Sequence, residues 1–253
     1  MKSTLYLKLI DNIKTIIYAL IIAIIIRSFF FQPFFIPSSS MEPNLLVGDR
    51  LFVSKYTYGY SKHSFPFSPP LFRNRVFDEK PSRGEVIVFK TPADNRTDYI
   101  KRLIGLPGDK IQFINGDLFI NDVKIKRKKT SFNSKIRCGS DFLETNIFIE
   151  TLPNGKSHLV AYKKKGSLLN TDIYNVPMGY YFFLGDNRDC SKDSRFLGSV
   201  GYVKHVNLVG KASIIFFSND SAKGYFIQFW KWGNSMRLNR FFKKIKWANL
   251  YNV

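Results

Sequence analysis

An unbroken apolar run from Ile16 to Ile26, interrupted by Arg27-Ser28 and resumed at Phe29-Phe30-Phe31 before Gln32-Pro33, constrains this chain more than any other stretch. A cleavable export signal ends in small residues, whereas this segment ends in phenylalanines. A buried core helix is the alternative to a membrane span. A helix over Ile13–Phe31 covers about 28 Å, enough for a bilayer's hydrocarbon, and Arg27 one turn from its end can snorkel to the headgroups. The segment therefore reads as an uncleaved transmembrane anchor over residues 13–31. Lys2, Lys8 and Lys14, in or just beyond the tail 1–12, outnumber Asp11, so the N-terminus is expected on the cytoplasmic side. Long domains cross largely regardless of charge, so the remainder is expected outside.

The remainder is strongly basic. Across the chain 39 Lys and Arg face 19 Asp and Glu, a net charge of +20, which suits nucleic acid, anionic lipid or an acidic ligand. The 25 phenylalanines argue against disorder. Runs rich in Val, Ile, Phe and Tyr predict strands over 51–56, 85–90, 98–104, 147–149, 178–184 and 206–217. Asn115-Gly116 between 111–114 and 118–120 predicts a hairpin, because this pair supplies the positive φ values of a type I′ turn. The region 60–83, with Pro66, Pro69, Pro70 and Pro81, reads as a loop. Its Phe65, Phe67, Leu71 and Phe72 either cover a core or dip into the lipid interface. The expectation is a mostly β fold: an antiparallel core over 32–115 and 177–220, a smaller inserted β subdomain over 116–176 with lysine clusters at 124–129 and 163–165, and one preceding helix.

Residues 221–253 carry no acid. Leu238, Phe241, Phe242 and Ile245 recur at helical spacing beside Arg237, Arg240, Lys243, Lys244 and Lys246. This predicts either a terminal helix packed on the domain or a basic amphipathic segment on anionic lipid. Cys138 and Cys190 are either two free thiols or one bridge, and no metal-ligand spacing or Gly-rich phosphate loop is present. No cofactor or metal is expected.

Chemistry-bearing residues concentrate in three separated stretches. The first is Ile36-Pro37-Ser38-Ser39-Ser40-Met41-Glu42-Pro43, a turn directly after the anchor. In the second, Asp98 to Asp109, strand alternation puts Tyr99, Lys101 and Leu103 on one face and Ile100, Arg102 and Ile104 on the other. The third is Gly185-Asp186-Asn187-Arg188-Asp189-Cys190-Ser191-Lys192-Asp193-Ser194-Arg195. Taken separately, hydroxyls in a turn satisfy local backbone groups, and Asp186, Arg188, Asp193 and Arg195 suit a charged turn tied by its own ion pairs.

Taken in order after an anchor, these stretches and Val209-Gly210-Lys211-Ala212 resemble bacterial type I signal peptidases. The resemblance implies Ser40 as nucleophile, Lys101 as general base, and Ser38 with the Ser40 N–H as oxyanion hole. It also implies Ser191 as the residue orienting the lysine, with Asp193 and Arg195 as a supporting ion pair. Cys190 departs from the polar residue expected there. The implied activity is removal of N-terminal signal peptides from exported preproteins, after small residues in an Ala-x-Ala-like pattern, at a bacterial inner membrane. Candidate pocket walls are Phe34, Ile36, Met41, Val88, Tyr99 and Ile100.

The chemistry is self-consistent. A serine is a poor nucleophile until a base takes its proton, and lysine serves near neutral pH only if burial depresses its pKa. The rival base is a histidine, but His63, His158 and His205 lie outside all three stretches. A self-cleaving Ser-Lys repressor needs a DNA-binding motif where the anchor stands. A nucleic-acid-binding β module is disfavoured because the basic clusters lie outside the three stretches, so the expected partners are signal peptides and phospholipid rather than nucleic acid.

Overall fold

Residues 2–70, 74–139, 141–220, 222–224 and 228–245 are described by a computed structural model. The apolar run is helical. Helix α1 spans Lys2–Ile25 and passes into one π-helical turn over Ile26–Phe30. It begins ahead of the predicted Ile13 because nothing in residues 2–12 breaks it, and Asp11 and Lys14 pair one turn apart at 3.7 Å. Over Lys8–Phe30 it is long and apolar enough to cross a bilayer, and none of its most apolar window is buried against the rest of the chain. A buried core helix is thereby excluded.

This helix runs straight into strand β1 (Phe31–Phe35), which the sequence reading did not foresee. Pro33 lacks the N–H a helix needs, and an edge strand tolerates it. The strands that follow are β2 (Asp49–Ser54), β3 (Val86–Lys90), β4 (Asp98–Gly105), β5 (Lys110–Ile114), β6 (Asp117–Ile120) and β7 (Val123–Lys124). Beyond them lie β8 (Lys126–Cys138), β9 (Asp141–Thr151), β10 (Ser157–Lys163), β11 (Tyr174–Asn175) and β12 (Tyr180–Leu184). The last are β13 (Val203–Lys204), β14 (Leu208–Ser218) and β15 (Lys243–Lys244).

All pairings between these strands are antiparallel, as the mostly β reading expects. The main sheet has the order β1-β2-β14-β3-β4-β12-β13, with β15 added on β14. Bulges in the pairing of β14 with β2 and β3 add local twist and curl this sheet. Gly210 lets β14 close on β2, since a Cβ there would stand 2.5 Å from the Ser54 carbonyl oxygen. Smaller sheets are β11-β5-β6-β7 and β10-β9-β8. Asn115 and Gly116 turn the β5–β6 hairpin with φ of 50° and 78°, as their sequence predicts. Ile36, Met41, Leu45, Val53, Val88 and Val209 belong to one buried cluster, which fixes the serine turn to the main sheet.

Two expectations change, and one open alternative closes. In the lysine-rich stretch 124–129, Lys124 ends β7 and residues 126–129 open the long β8–β9 ribbon, where exposed Lys126, Lys128 and Lys129 hide the alternation. Cys138 at the end of β8 is bonded to Cys190, resolving the two thiols into one disulfide. Where a C-terminal helix is predicted, only one 3₁₀ turn, Leu238–Arg240, forms among the described residues. Phe242 has φ of 55°, Lys243 and Lys244 pair with Ile215 and Ile214, and Arg240 binds Asp49. Helical spacing arises here because Phe241 meets Phe217 and Ile245 packs on the core from an extended chain; Lys246 lies outside the described residues. In the 60–83 loop, Phe65 packs edge-on against Phe29 in the π-helical turn, and Phe67 is fully exposed; Leu71 and Phe72 lie outside the described residues.

Candidate active site

Ser39–Met41 form a single 3₁₀ turn, entered from extended Ser38 and left through Glu42-Pro43. N–H groups in the first turn of a helix have no intrahelical acceptor, so those of this turn remain available to a ligand. Beside it, Lys101 Nζ donates to Ser40 Oγ at 2.5 Å, and Ser38 Oγ lies 3.4 Å from the same oxygen. Ser40 and Lys101 come from positions 61 residues apart, brought together as β1 and β4 take their places in one sheet.

Both groups are sheltered, at 6% and 3% exposed. Burial lowers the Lys101 pKa from 10.5 to about 8, against the opposing pull of Asp193 and Asp186. The Tyr99 ring, 5.4 Å from Nζ, forms part of this apolar surround. A lowered pKa does not single out Lys101, because buried Lys55 is also held at about 8 by desolvation. Lys55, however, donates to the Ser64 carbonyl. Geometry, not titration, separates the two lysines.

The third stretch clamps the serine turn from behind. Asn187 donates its backbone N–H to Ser40 O at 3.1 Å and its amide Nδ2 to Ser39 O at 3.2 Å. Asp193 accepts the Gly185 N–H at 2.9 Å and both arms of Arg195 at 2.8 and 2.9 Å. Ser191 is buried next to Gly185, but its Oγ has no hydrogen-bond partner among the described residues and so makes no hydrogen bond to Lys101. A Cβ on Gly185 would stand 2.1 Å from Ser191 Oγ and 2.6 Å from Ser40 O. Gly185→Ala is therefore expected to displace the serine turn and cut turnover by about a hundredfold, the usual cost of an ångström-scale misplacement. Peptide cleavage by a variant whose circular dichroism matches wild type measures this; full activity would show that the contact is soft.

Behind the clamp lies a buried ionic layer that the sequence reading did not foresee as long-range. Asp186 accepts Arg102 Nε and Nη2, each at 2.7 Å, and Asn44 Nδ2 at 2.6 Å. Arg188 grips Glu150 of β9 through two bonds of 2.8 and 2.6 Å. Of the expected local pairs in this turn only Asp193–Arg195 is local; Asp186 and Arg188 pair with β4 and β9. Each such charge is paired, as burial requires. Nothing in their spacing announces partners 84 and 38 residues away.

The histidines stand apart. His158 is fully buried, its pKa pushed well below the ordinary value by desolvation and by Arg102 and Arg188. Its Nε2 lies 3.4 Å from Glu150 and 3.9 Å from Asp186. His205 pairs with Asp78, and His63 approaches Ser68. Of the candidate pocket walls, Ile36, Met41 and Val88 are buried in one cluster with Phe34 and Ile100 partly exposed at its margin. Tyr99 packs instead with Phe89 on a neighbouring cluster.

Residues 9–217 match the family described as signal peptidase, peptidase S26. The signal peptidase I of Rickettsia typhi is 42% identical over 254 residues, spanning 93% of this chain and 92% of that protein. That of Rickettsia bellii is 41% identical over 258 residues, spanning 95% and 85%. A crystal structure of a signal peptidase I from Enterococcus faecalis V583 aligns with 53% of this chain and 98% of its own, at 28% identity and a TM-score of 0.32.

Proposed function

The chain belongs to the signal peptidase family, peptidase S26, and is a serine endopeptidase that removes signal peptides; from this premise we propose that Ser40 and Lys101 form its catalytic dyad. The single observation that carries the proposal is the 2.5 Å contact between Lys101 Nζ and Ser40 Oγ in a sheltered site. The neutral amine takes the Ser40 proton as Oγ attacks the scissile carbonyl. The resulting ammonium returns that proton to the departing amine nitrogen, leaving an acyl-enzyme. Lys101 then accepts a proton from the water that attacks the ester, and Ser40 is regenerated. The oxyanion is received by the Ser40 N–H and the Ser38 hydroxyl, two donors fixed before substrate arrives. Ser38 lies near enough to Ser40 Oγ for this role. The Ser191 hydroxyl, without a hydrogen-bond partner among the described residues, is left to accept from the lysine ammonium, and the Asp193–Arg195 pair holds the turn that carries it.

Substrate enters as an extended chain along the main sheet, with small residues preferred at the first and third positions before the bond. Ile36, Met41 and Val88 are buried with Phe34 and Ile100 partly exposed beside them, an apolar margin on which an added strand can lay small side chains. With the lysine pKa near 8, only about a tenth of the enzyme holds a neutral base at pH 7. Accordingly kcat/KM on a signal-peptide substrate is expected to rise with pH and level off above an apparent pKa near 8. A flat profile between pH 6 and 9 would count against Lys101 as the base.

The domain lies on the outer side of the bacterial inner membrane, with α1 as anchor and its N-terminus cytoplasmic. The Cys138–Cys190 disulfide supports this side, since such bonds persist in oxidising compartments and are rare in the cytosol. In intact membranes neither cysteine is expected to react with maleimide until a reductant is added. Labelling of both without reduction would overturn the topology.

A further inference from the structure

A basic cleft of about 610 Å³ opens where the anchor meets the domain, outside the catalytic machinery. Arg27 from the π-helical turn, Gln32 of β1, Lys62 and His63 of the loop, Lys90 of β3 and Arg96 line it. Two carboxylates, Asp94 and Asp98, share the cleft with four cations. Both are already engaged. Asp98 pairs with Lys90 at 2.9 Å, and Asp94 accepts the backbone N–H groups of Arg96 and Thr97 at 2.9 and 3.0 Å. Among the described residues Arg27, Lys62 and Arg96 have no carboxylate partner.

His63 supplies an independent sign of a ligand. It is 4% exposed, its Nδ1 lies 3.0 Å from Ser68 Oγ, and its Nε2 is buried with no partner among the described residues. A buried ring nitrogen left unsatisfied is costly unless something arrives to meet it.

The depth of the cleft identifies what arrives. Arg27 also borders a groove on the opposite face of β1, walled by Ala23, Ile26, Phe31 and Phe52 and almost wholly apolar. Those side chains belong at the level of hydrocarbon, so Arg27 stands at its upper boundary and the cleft opens at the height of the lipid phosphates. Phe65 and Phe67, also on its rim, are of the type that favours this depth.

We propose that this cleft is a binding site for the phosphate headgroup of an anionic phospholipid, held by Arg27, Lys62 and Arg96 with His63 Nε2–H as a neutral donor. It rests on reading α1 as a membrane anchor, and it adds a defined lipid site to that reading. The excess cations favour a lipid with net negative charge over a zwitterionic one, by about a factor of several for each basic side chain near the surface.

The test uses the full chain in detergent micelles with equal amounts of short-chain phosphatidylglycerol and phosphatidylcholine, read by native mass spectrometry. Wild type is expected to retain phosphatidylglycerol preferentially. R27Q/K62Q/R96Q should reduce that preference by about tenfold or more, and His63→Phe, which changes no charge on a neutral ring, should weaken it as well. K124Q/K128Q/K129Q removes as much charge elsewhere and should leave the preference intact. An unchanged preference in the cleft variant, or an equal loss in the control, overturns the site. Displacement of the lipid by an equal concentration of glycerol 3-phosphate would assign the cleft to a soluble phosphate and overturn the lipid reading. Carbonate extraction of wild type from membranes tests the anchor separately: release into the supernatant would fail that reading alone.

Discussion

Ser40→Ala and Lys101→Met are each expected to lower preprotein cleavage by about 10⁴-fold or more, to the background of the assay. In the proposed dyad the two side chains pass one proton between them, so each is useless without the other. The double variant should therefore be no worse than either single one, whereas independent contributions would multiply. Lys101→Arg should be equally inactive despite keeping a basic side chain, because a guanidinium cannot release its proton near neutral pH. Conversely, replacing His63, His158 and His205 together by glutamine should leave peptide cleavage in detergent within about tenfold for the folded fraction, since none meets Ser40. A folded but inactive histidine variant, with Ser40→Ala still active, would send the search for the base elsewhere.

The second large effect is on stability, and it has the opposite sign. Lys101 titrates near 8 in the folded chain and near 10.5 unfolded. Between those values the unfolded chain binds more protons, so the contribution of this group to stability rises with pH across that window. Below about pH 8 both states are protonated and the whole penalty applies; at 1.36 kcal/mol per pKa unit it is about 3 kcal/mol. Lys101→Met keeps an apolar stem of similar reach and has no charge to bury. It should stabilise the protein by up to about 3 kcal/mol at pH 6 and by little at pH 10.5. Urea melts of the two proteins at both pH values measure this. A methionine variant that is less stable at pH 6 would mean that the lysine is a well-compensated ammonium in the folded state, which no general base can be.

Much of the scaffold for this site is legible in the residues. Alternating apolar runs and the Asn115-Gly116 turn are local signals, and β2 to β6, β12 and β14 form where those signals lie. Strand β1 was obscured because Phe31 and Phe34 look alike in an anchor and in an edge strand; only Pro33 separates them. Of the β8–β9 ribbon only 147–149 in β9 carries a signal, because the lysines of β8 give an exposed strand no apolar face to display. At the C-terminus the spacing was real but its cause was not helical, because a left-handed Phe242 and pairing with β14 place the same residues on the core. The three stretches around Ser40, Lys101 and Ser191 could be picked out because each is dense and self-contained. The layer behind them could not. Asn44 meets Asp186 across 142 positions, and the need for Gly185 appears only once Ser191 and the Ser40 carbonyl stand on either side of it.

The anchor and the serine turn are separated by a single short strand, and this limits how far from the bilayer a peptide can be cut. Nine residue steps join Phe31 to Ser40, and a fully extended chain covers at most about 3.6 Å per step, so Ser40 can lie no more than about 32 Å from the end of its own helix. With the curl of the turn included, the true separation is shorter. A substrate whose apolar segment sits in the same membrane must reach this point with its own chain, under the same arithmetic. With α1 as the proposed anchor and Ser40 as the proposed nucleophile, the enzyme acts as a gauge: the anchor sets the zero, β1 sets the reach, and a scissile bond presented well above that height never meets the hydroxyl.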